Sequence, residues 1–555
     1  MHLFRYNRRT HLEKRTSRQT ASLGNQQTLF GCSLISARAS LASLFVCVNP
    51  VLRAEVEKRL TPFRMYAILL HVNESYLRKL VIWLRSHLWL LLLGITSEIV
   101  YFFYLLRGFP LIHDYYHLDT MGGIAGYTHT GFLIYLIAFS FLFVLFGFAW
   151  WEARRFQDRA TLWFILSFGG IFAITTVFVY PVTAIDIFNY IVYGLMMVQY
   201  GVNPMTTPPA QFGADPLMQL AGGFITQPSP YGPLGQAIQA LPVKIAGRDI
   251  LVSLLLLKFM FSSMIIYGAF LVYKILSHIA PRFAIPATLA LAWNPFVFFE
   301  FSANGHNDIL MMFLILLAIF ALTKDYHIWA LMLIIASALI KFASLPLVPL
   351  FFIYSFAHQP TQTKRILYIL EAIVASLSLL LASFAFFWAG SKTFERFLSE
   401  IQYQLYSFSI FLSDSSSGSI SFDLAKRIGW ALFGICFLYA LWLSSRNFLS
   451  LLKGCCITMF ALLAFSATYV QPWYLLWPFV FAILIPQTRV AIAAILLTYC
   501  AILAELGPAY IFAWGPSQDA SNLINSFFYL TIFLPPVLFL LISRFRQIFS
   551  YPSFS

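Results

Sequence analysis

The sequence predicts an all-α, polytopic integral membrane protein with about 13–14 transmembrane helices. Of its 555 residues, 60% are hydrophobic and only 10% are charged, whereas about a quarter of the residues of a soluble domain are charged. Several apolar runs reach the roughly 20 residues that a membrane-spanning helix needs. The basic residues lie between these runs and in the N-terminal arm, as the positive-inside rule describes. The net charge of +14 therefore does not indicate a nucleic-acid partner.

The chain begins with a basic arm, which we predict to cover residues 1–85, to be cytoplasmic and to be largely disordered. The arm is rich in Ser and Thr and poor in acids. A transit peptide has the same composition, and so does an over-long translation start ahead of Met65, and both alternatives remain open. Residues 75–86 have one apolar face and one basic face, which is typical of an interfacial helix. The start of the first span is the other interpretation.

A transmembrane domain is predicted at residues 86–546, followed by a cytoplasmic tail at residues 547–555. The predicted spans are 87–106, 131–151, 161–182, 249–274, 283–300, 308–323, 326–340, 343–357, 366–389, 428–445, 450–468, 473–486, 490–510 and 524–543.

The run at 326–357 is too long for one upright helix, and Lys341 and Pro346 interrupt it. We predict two short helices that meet near the outer face. This topology leaves Lys364 and Arg365 in an inner loop and keeps Lys and Arg out of the short outer loops. Both termini are then cytoplasmic. Four sites with polar groups then reach the extracytoplasmic face. They are Asp186, the segment NGHND (residues 304–308), Lys341 and the segment QPW (residues 471–473).

The stretch at 181–234 contains the strongest candidate for chemistry. It opens with Asp186 among aromatic and amide side chains, and its Pro and Gly residues exclude one continuous helix. It is too apolar for a solvated loop, so we expect it at the membrane surface. Partial burial would raise the proton affinity of this carboxylate, as a general base requires. A solvated aspartate at a helix end is the alternative.

Three other segments carry candidate binding groups. In NGHND, the side chains of Asn304, His306 and Asn307 could donate hydrogen bonds to a phosphate or a sugar, and Asp308 could stabilise a helix N-terminus. Lys341 either binds a lipid phosphate or extends to the interface. The segment QPWY at 471–474 either stacks on a sugar or isoprenoid or belongs to an aromatic belt. The His306–Asp308 spacing is not specific for a metal, so a divalent metal is allowed but unsupported, and no cofactor is assigned.

Five segments resemble one enzyme family. The segments lie within about 182–480 and follow the order found in that family: DIFNYIVYGLMMVQYGVNP, SPYGPL, NGHNDILMM, LIKFASLPLVPL and QPWYLLW. The chain thereby resembles polyprenol-phosphomannose-dependent α-1,6-mannosyltransferases and, more broadly, the GT-C class of integral-membrane glycosyltransferases. The resemblance implies a GT-C-like catalytic domain with its site on the extracytoplasmic face of the cell membrane. It also implies a polyprenyl-phosphate sugar donor, and inverting transfer of a hexose, by analogy mannose, to a glycan or glycolipid hydroxyl.

The resemblance places the catalytic base at Asp186. Many enzymes of the class carry this acid in the first outer loop, where this chain has Asp114, so Asp114 is the rival base. From the residues themselves we predict that the donor phosphate is bound by Lys341, His306, Asn307 and Asp308. The predicted substrate-lining residues are Asn189, Tyr190, Tyr193, Tyr231, Gln471, Trp473 and Tyr474.

A polyprenyl-phosphate sugar already carries its leaving group, so one base suffices for a single displacement, with cations or donors stabilising the phosphate. The reaction therefore does not need the pair of carboxylates that glycosidases use. The competing hypotheses are a secondary transporter and a lipid-linked-sugar flippase. A transporter places its charges near the bilayer midplane between inverted repeats, and we find no repeat in the sequence.

Overall fold

The computed structural model describes residues 86–115, 128–400, 404–511 and 518–549, together with Trp83 and Trp514. Within these residues the chain is helical and forms no β-strand, which confirms the predicted all-α fold. The predicted arm at 1–85, its interfacial helix and most of the predicted tail lie outside the described residues.

The helices are numbered in chain order. The first nine are α1 (Leu88–Leu106), α2 (His129–Ala153), α3 (Arg159–Val177), α4 (Asp186–Tyr200), α5 (Pro233–Ala246), α6 (Ile250–Ile279), α7 (Pro281–Ala292), α8 (Pro295–Ala303) and α9 (Asp308–Leu322). The remainder are α10 (His327–Ala338), α11 (Leu347–Ala357), α12 (Gln362–Phe384), α13 (Lys392–Glu400), α14 (Phe408–Ser415), α15 (Phe422–Ser444), α16 (Phe448–Ser466), α17 (Pro472–Leu484), α18 (Thr488–Ala504) and α19 (Gln518–Phe549).

In the described part of the chain, 8 helices are long and apolar enough to cross a membrane, and the bent pair α7–α8 raises this number to 9. The long helices are α1, α2, α3, α6, α12, α15, α16 and the Ile524–Arg544 part of α19. Five shorter apolar helices, of 10–17 residues, are α9, α10, α11, α17 and α18. Each predicted span coincides with one of these helices or with the bent pair. The protein is therefore a polytopic membrane protein.

The centre of the structure is the bent pair α7–α8 and the turn that follows it. Every residue from 284 to 312 is buried. The pair is broken ahead of Pro295, and the two halves meet at 41°. The side chain of Asn294 caps α8 by accepting a hydrogen bond from the amide of Phe296. This apolar packing fixes the position of the polar turn at 304–307.

The predicted break at Lys341 is confirmed. Helix α10 ends at Ala338 and α11 begins at Leu347, with one 3₁₀ turn between them. The amide of Gly232 donates a 2.9 Å hydrogen bond to the carbonyl of Ile340. A Cβ at Gly232 would collide with the carbonyl oxygen of Leu339, so only glycine lets the loop before α5 approach this break so closely.

The stretch at 181–234 is broken as predicted. Helix α4 ends at Gly201, whose φ of 63° is the left-handed conformation typical of a helix C-terminus. Two 3₁₀ turns follow at Pro209–Phe212 and Pro216–Phe224, and Pro233 then starts α5. Helix α4 is buried from Ile187 to Met196, so its first turn is held firmly against the rest of the protein.

Candidate active site

Asp186 is the first residue of α4, where the helix dipole favours a negative charge. Its side chain remains 21% exposed. The Oδ2 atom lies 3.5 Å from Nδ1 of His306 and 3.5 Å from the hydroxyl of Tyr231. The carboxylate is therefore oriented by buried neighbours and still accessible to a substrate.

His306 lies between two carboxylates. Its Nε2 atom is 3.4 Å from Oε2 of Glu300, and both side chains are 0% exposed. The imidazole also stacks on Trp473, with ring centroids 3.8 Å apart. We call Asp186, His306 and Glu300 the His306 array. Glu300 lies in the π-helical turn Phe298–Ala303 that ends α8, a geometry that is frequent at functional sites.

The turn at 304–307 is held by the side chain of Asn304. Its Oδ1 accepts a hydrogen bond of 2.8 Å from the amide of Val182, and its Nδ2 donates to Thr183 and to Glu300 at 2.6 and 3.0 Å. The expectation that Asn304 donates to a substrate is therefore wrong, because its amide is committed to protein partners. It joins the segment before α4 to the turn that carries His306.

The charge state of His306 follows from its neighbours. Burial alone lowers the pKa of the imidazole, but the facing carboxylates of Asp186 and Glu300 outweigh this effect, and the pKa is raised above its ordinary value. The His306 array therefore favours the protonated, cationic form of the imidazole.

A second cluster lies two residues further along the chain. The ammonium of Lys341 donates to both oxygens of Asp308, at 2.9 and 3.0 Å, and Trp477 donates to Oδ1 at 2.7 Å. The same ammonium lies over the ring of Tyr474, 4.2 Å from its centroid. Asp308 is 1% exposed and Lys341 is 16% exposed. We call Lys341, Asp308, Tyr474 and Trp477 the Lys341 cluster.

Asn307 joins the array to the cluster. Its backbone amide donates to the hydroxyl of Tyr190 at 3.3 Å, and Tyr190 packs edge-on against Tyr231. The side chain of Asn307 is buried, yet among the described residues neither its oxygen nor its nitrogen has a hydrogen-bond partner, and the same is true of the side-chain oxygen of Asn189. Buried amides without partners are rare in proteins and point to a ligand that supplies the missing bonds.

Two family models match this chain. Residues 95–357 match the N-terminal domain of alpha-(1->6)-mannopyranosyltransferase, and residues 406–509 match the MptB C-terminal domain. Together the matches span well over half of the chain. The chain belongs to the α-1,6-mannosyltransferase family. Comparison with individual curated proteins gives no significant match.

In this mannosyltransferase the candidate site lies where the two family domains meet. The N-terminal match contains Asp186, His306 and Lys341, while the C-terminal match contains Trp473 and Tyr474. The stacking of His306 on Trp473 and of Lys341 on Tyr474 joins the two parts. Neither domain alone completes the site.

Most of the predicted site residues come together in the mannosyltransferase. The exceptions are Tyr193, Gln471 and Asp114. The hydroxyl of Tyr193 donates to the carbonyl of Gln227, Gln471 is the residue directly before α17, and Asp114 contacts its neighbour His113. Sequence reasoning assigned no role to Glu300, although a carboxylate inside an apolar run was a usable signal.

Arg248, in the loop before α6, is already paired. It binds Asp215 through a 2.7 Å ion pair, and its hydrogen bond lowers the pKa of that carboxyl to about 2. Within the described residues, no group of three or more His, Cys, Asp or Glu side chains could hold a metal ion.

Proposed function

We propose that this mannosyltransferase transfers mannose from a polyprenyl-phosphate donor to a hydroxyl of a glycan or glycolipid, with inversion at the anomeric carbon. The observation that carries the proposal is the placement of Asp186 and Lys341. A partly exposed carboxylate and a partly exposed ammonium are held at the two ends of residues 306–308. A general base and a cation that binds the leaving phosphate need to be placed in this way.

Asp186 is the proposed general base. In a single displacement, the acceptor oxygen attacks the anomeric carbon as its proton passes to the carboxylate, and the bond to the lipid phosphate breaks. Asp186 suits this role because it is oriented by Tyr231 and His306 but remains accessible.

Lys341 is the proposed ligand of the departing phosphate. Asp308 fixes the ammonium and Tyr474 covers one side of it, so the cation is positioned before the substrate arrives. We assign Asp308 to holding Lys341, since a carboxylate does not attract a phosphate. His306 was also predicted to bind the phosphate, but both of its ring nitrogens face carboxylates, and we assign it below to Asp186.

The amides of Asn307 and Asn189 are the proposed partners of the sugar hydroxyls or of the phosphate oxygens. Their unused hydrogen-bonding atoms support this assignment. Tyr190, Tyr231, Trp473 and Tyr474 supply the aromatic surface on which a sugar ring or an isoprenoid packs.

The site is proposed to open to the extracytoplasmic side of the cell membrane, with both termini in the cytoplasm. The support is the charge distribution. In the predicted topology the side opposite to Asp186 carries Lys324 and Arg446, which lie in loops, and Lys364 and Arg365, which lie in the first turn of α12.

The test is transfer from defined donors. Membranes that contain the protein are incubated with radiolabelled polyprenyl-phosphate mannose, as separate α and β anomers, and with nucleotide-linked mannose. An inverting enzyme that makes an α linkage requires a β-linked donor, so only the β anomer should yield an α-mannoside. Transfer from the nucleotide sugar alone contradicts the proposed donor. Movement of intact labelled lipid across the bilayer, without cleavage, supports a flippase instead.

A further inference from the structure

Glu300 is a fully buried carboxylate that the proposed reaction does not use. It lies within the continuously buried stretch at 284–312, and an unpaired carboxylate there would be costly. Its Oε2 accepts a hydrogen bond from Asn304 and faces Nε2 of His306. The side chain is therefore directed at the histidine that touches the proposed base.

The two ring nitrogens of His306 restrict its protonation. Nδ1 faces Oδ2 of Asp186, so it must carry a hydrogen to avoid placing a lone pair against the carboxylate. Nε2 then faces Glu300 in the same way and needs a proton between the two atoms. Stacking on Trp473 also favours the protonated ring of His306, because the face of an indole attracts a cation. The separations of 3.5 and 3.4 Å slightly exceed ideal hydrogen-bond lengths, as is common for catalytic groups before substrate binds.

We propose that Glu300 and His306 are a positioning pair for Asp186. Glu300 holds a proton on Nε2, and the resulting imidazolium donates its Nδ1 hydrogen to Oδ2 of Asp186. This fixes the orientation of the carboxylate, keeps it ionised and leaves Oδ1 to receive the proton of the acceptor hydroxyl. The inference rests on the proposed function, since it gives Asp186 the role of base.

The proton balance of the step is simple. The acceptor O–H bond breaks and its proton goes to Oδ1 of Asp186. The acceptor oxygen forms a bond to the anomeric carbon, and the electron pair of the breaking bond leaves with the phosphate. His306 and Glu300 keep their shared proton throughout, so they act through Asp186 and do not touch the reacting atoms.

Other ionisable groups also face the His306 array. They are the same in the wild-type protein and in the Glu300→Gln variant that is compared with it below. Tyr190 and Tyr231 lie on the side of Asp186. Glu505 and Tyr135 lie near enough to Glu300 for their charges to interact. The ammonium of Lys258 donates to the carbonyl of Ala303, in the same turn as Glu300.

The first test is the pH dependence of transfer in Glu300→Gln, which keeps the shape of the side chain and can still accept from Asn304. Without Glu300 the imidazolium loses its proton at lower pH, so the alkaline limb moves down. In the acid range the ring still carries its proton in both proteins, so Asp186 keeps its facing cation and the acid limb of the pH profile stays in place. We expect the alkaline limb to move down by about one pH unit. The control is Glu98→Gln, a half-buried glutamate that is hydrogen-bonded to Thr175 outside the array, which should leave both limbs in place.

The second test does not depend on any donor. Nitrogen-15 NMR of the histidine rings in purified protein, assigned by comparison with His306→Gln, reports the protonation of both nitrogens of His306. We expect an imidazolium at pH 7 in the wild-type protein and a neutral ring in Glu300→Gln. A neutral ring in the wild type overturns the pairing, and so does an imidazolium that survives in Glu300→Gln.

The two tests separate the pairing from the proposed function. If no mannosyl phosphate lipid is a donor, the proposed function fails, and the NMR measurement still decides the state of His306. If transfer occurs but the alkaline limb does not move in Glu300→Gln, the pairing is wrong and the proposed function stands. If Glu300→Gln does not fold, the wild-type spectrum decides alone.

Discussion

At the scale of single residues, the site divides its charges into accessible and buried members. Asp186 and Lys341 are the charged groups that a substrate can reach, whereas His306, Glu300 and Asp308 are buried behind them. The sequence identified both accessible residues, because a charge in an apolar setting is conspicuous. The partner of each charge was not predictable, since it depends on contacts between distant segments.

Replacing Lys341 with methionine removes the cation and keeps most of the stem. We expect the donor concentration needed for half-maximal rate to rise about 10- to 100-fold, because a hydrogen bond to a charged group contributes about 1.5–3 kcal/mol. Acceptor dependence should change little. Initial rates against donor concentration measure this effect.

Two controls accompany the Lys341 experiment. Lys341→Met leaves Asp308 buried and unpaired, which costs stability on its own, so the double variant with Asp308→Asn is measured alongside. Lys364→Met removes an exposed lysine outside the cluster. Unchanged donor dependence in both Lys341 variants, with intact folding, would show that Lys341 only extends to the interface.

At the scale of elements, breaks in helices place the functional groups. The break at Lys341 and the bend at Pro295 were predictable, because proline and an intramembrane charge interrupt apolar helices. The π turn that carries Glu300 was not, since an apolar run gives no sign of a changed helical pitch. The 3₁₀ turns between α4 and α5 were not predictable either, since the Pro and Gly residues there indicate only that no single continuous helix forms.

Gly305 shows how tightly the turn at 304–307 is built. Its φ is 77°, and an added Cβ would lie 2.5 Å from Cδ1 of Ile187, on the first turn of α4. We expect Gly305→Ala to lower the free energy of unfolding by about 1–3 kcal/mol, through overpacking and backbone strain. It should also reduce transfer, because it pushes His306 away from Asp186.

Thermal unfolding in detergent measures the Gly305 effect. Gly170→Ala, where nothing lies within 4 Å of the new Cβ, is the matched control and should be neutral or slightly stabilising. Adding Ile187→Val to Gly305→Ala removes the colliding methyl and should recover part of the loss. A Gly305→Ala protein as stable and active as the wild type would refute the close packing of this turn against α4.

At the scale of the whole molecule, the site is made by two family domains and by segments far apart in the sequence. Composition and charge distribution were enough to predict a polytopic all-α membrane protein, because the hydrophobic requirement of a span is strong. The contact between Trp473 and His306 was beyond sequence reasoning. An aromatic residue near a span end is equally typical of an interfacial belt.

The orientation in the membrane predicts an asymmetric labelling pattern. In a background without other cysteines, Leu345→Cys lies in the break between α10 and α11, where Leu345 is 56% exposed. An impermeant thiol reagent applied outside should label it in intact cells. Lys364→Cys, in the first turn of α12, should be labelled only after permeabilisation. The reverse pattern would put the site on the cytoplasmic side.

The assignment of Asp186 as the base is tested most directly by the transfer rate of purified Asp186→Asn with the β-linked mannosyl lipid, compared with the rate of Asp114→Asn. The amide keeps the size of the side chain but cannot take the acceptor proton. We predict a loss on the order of 10²–10⁴-fold for Asp186→Asn, with folding intact, and a rate near wild type for Asp114→Asn. Near wild-type turnover in Asp186→Asn, with the loss in Asp114→Asn instead, would contradict the assignment of the base.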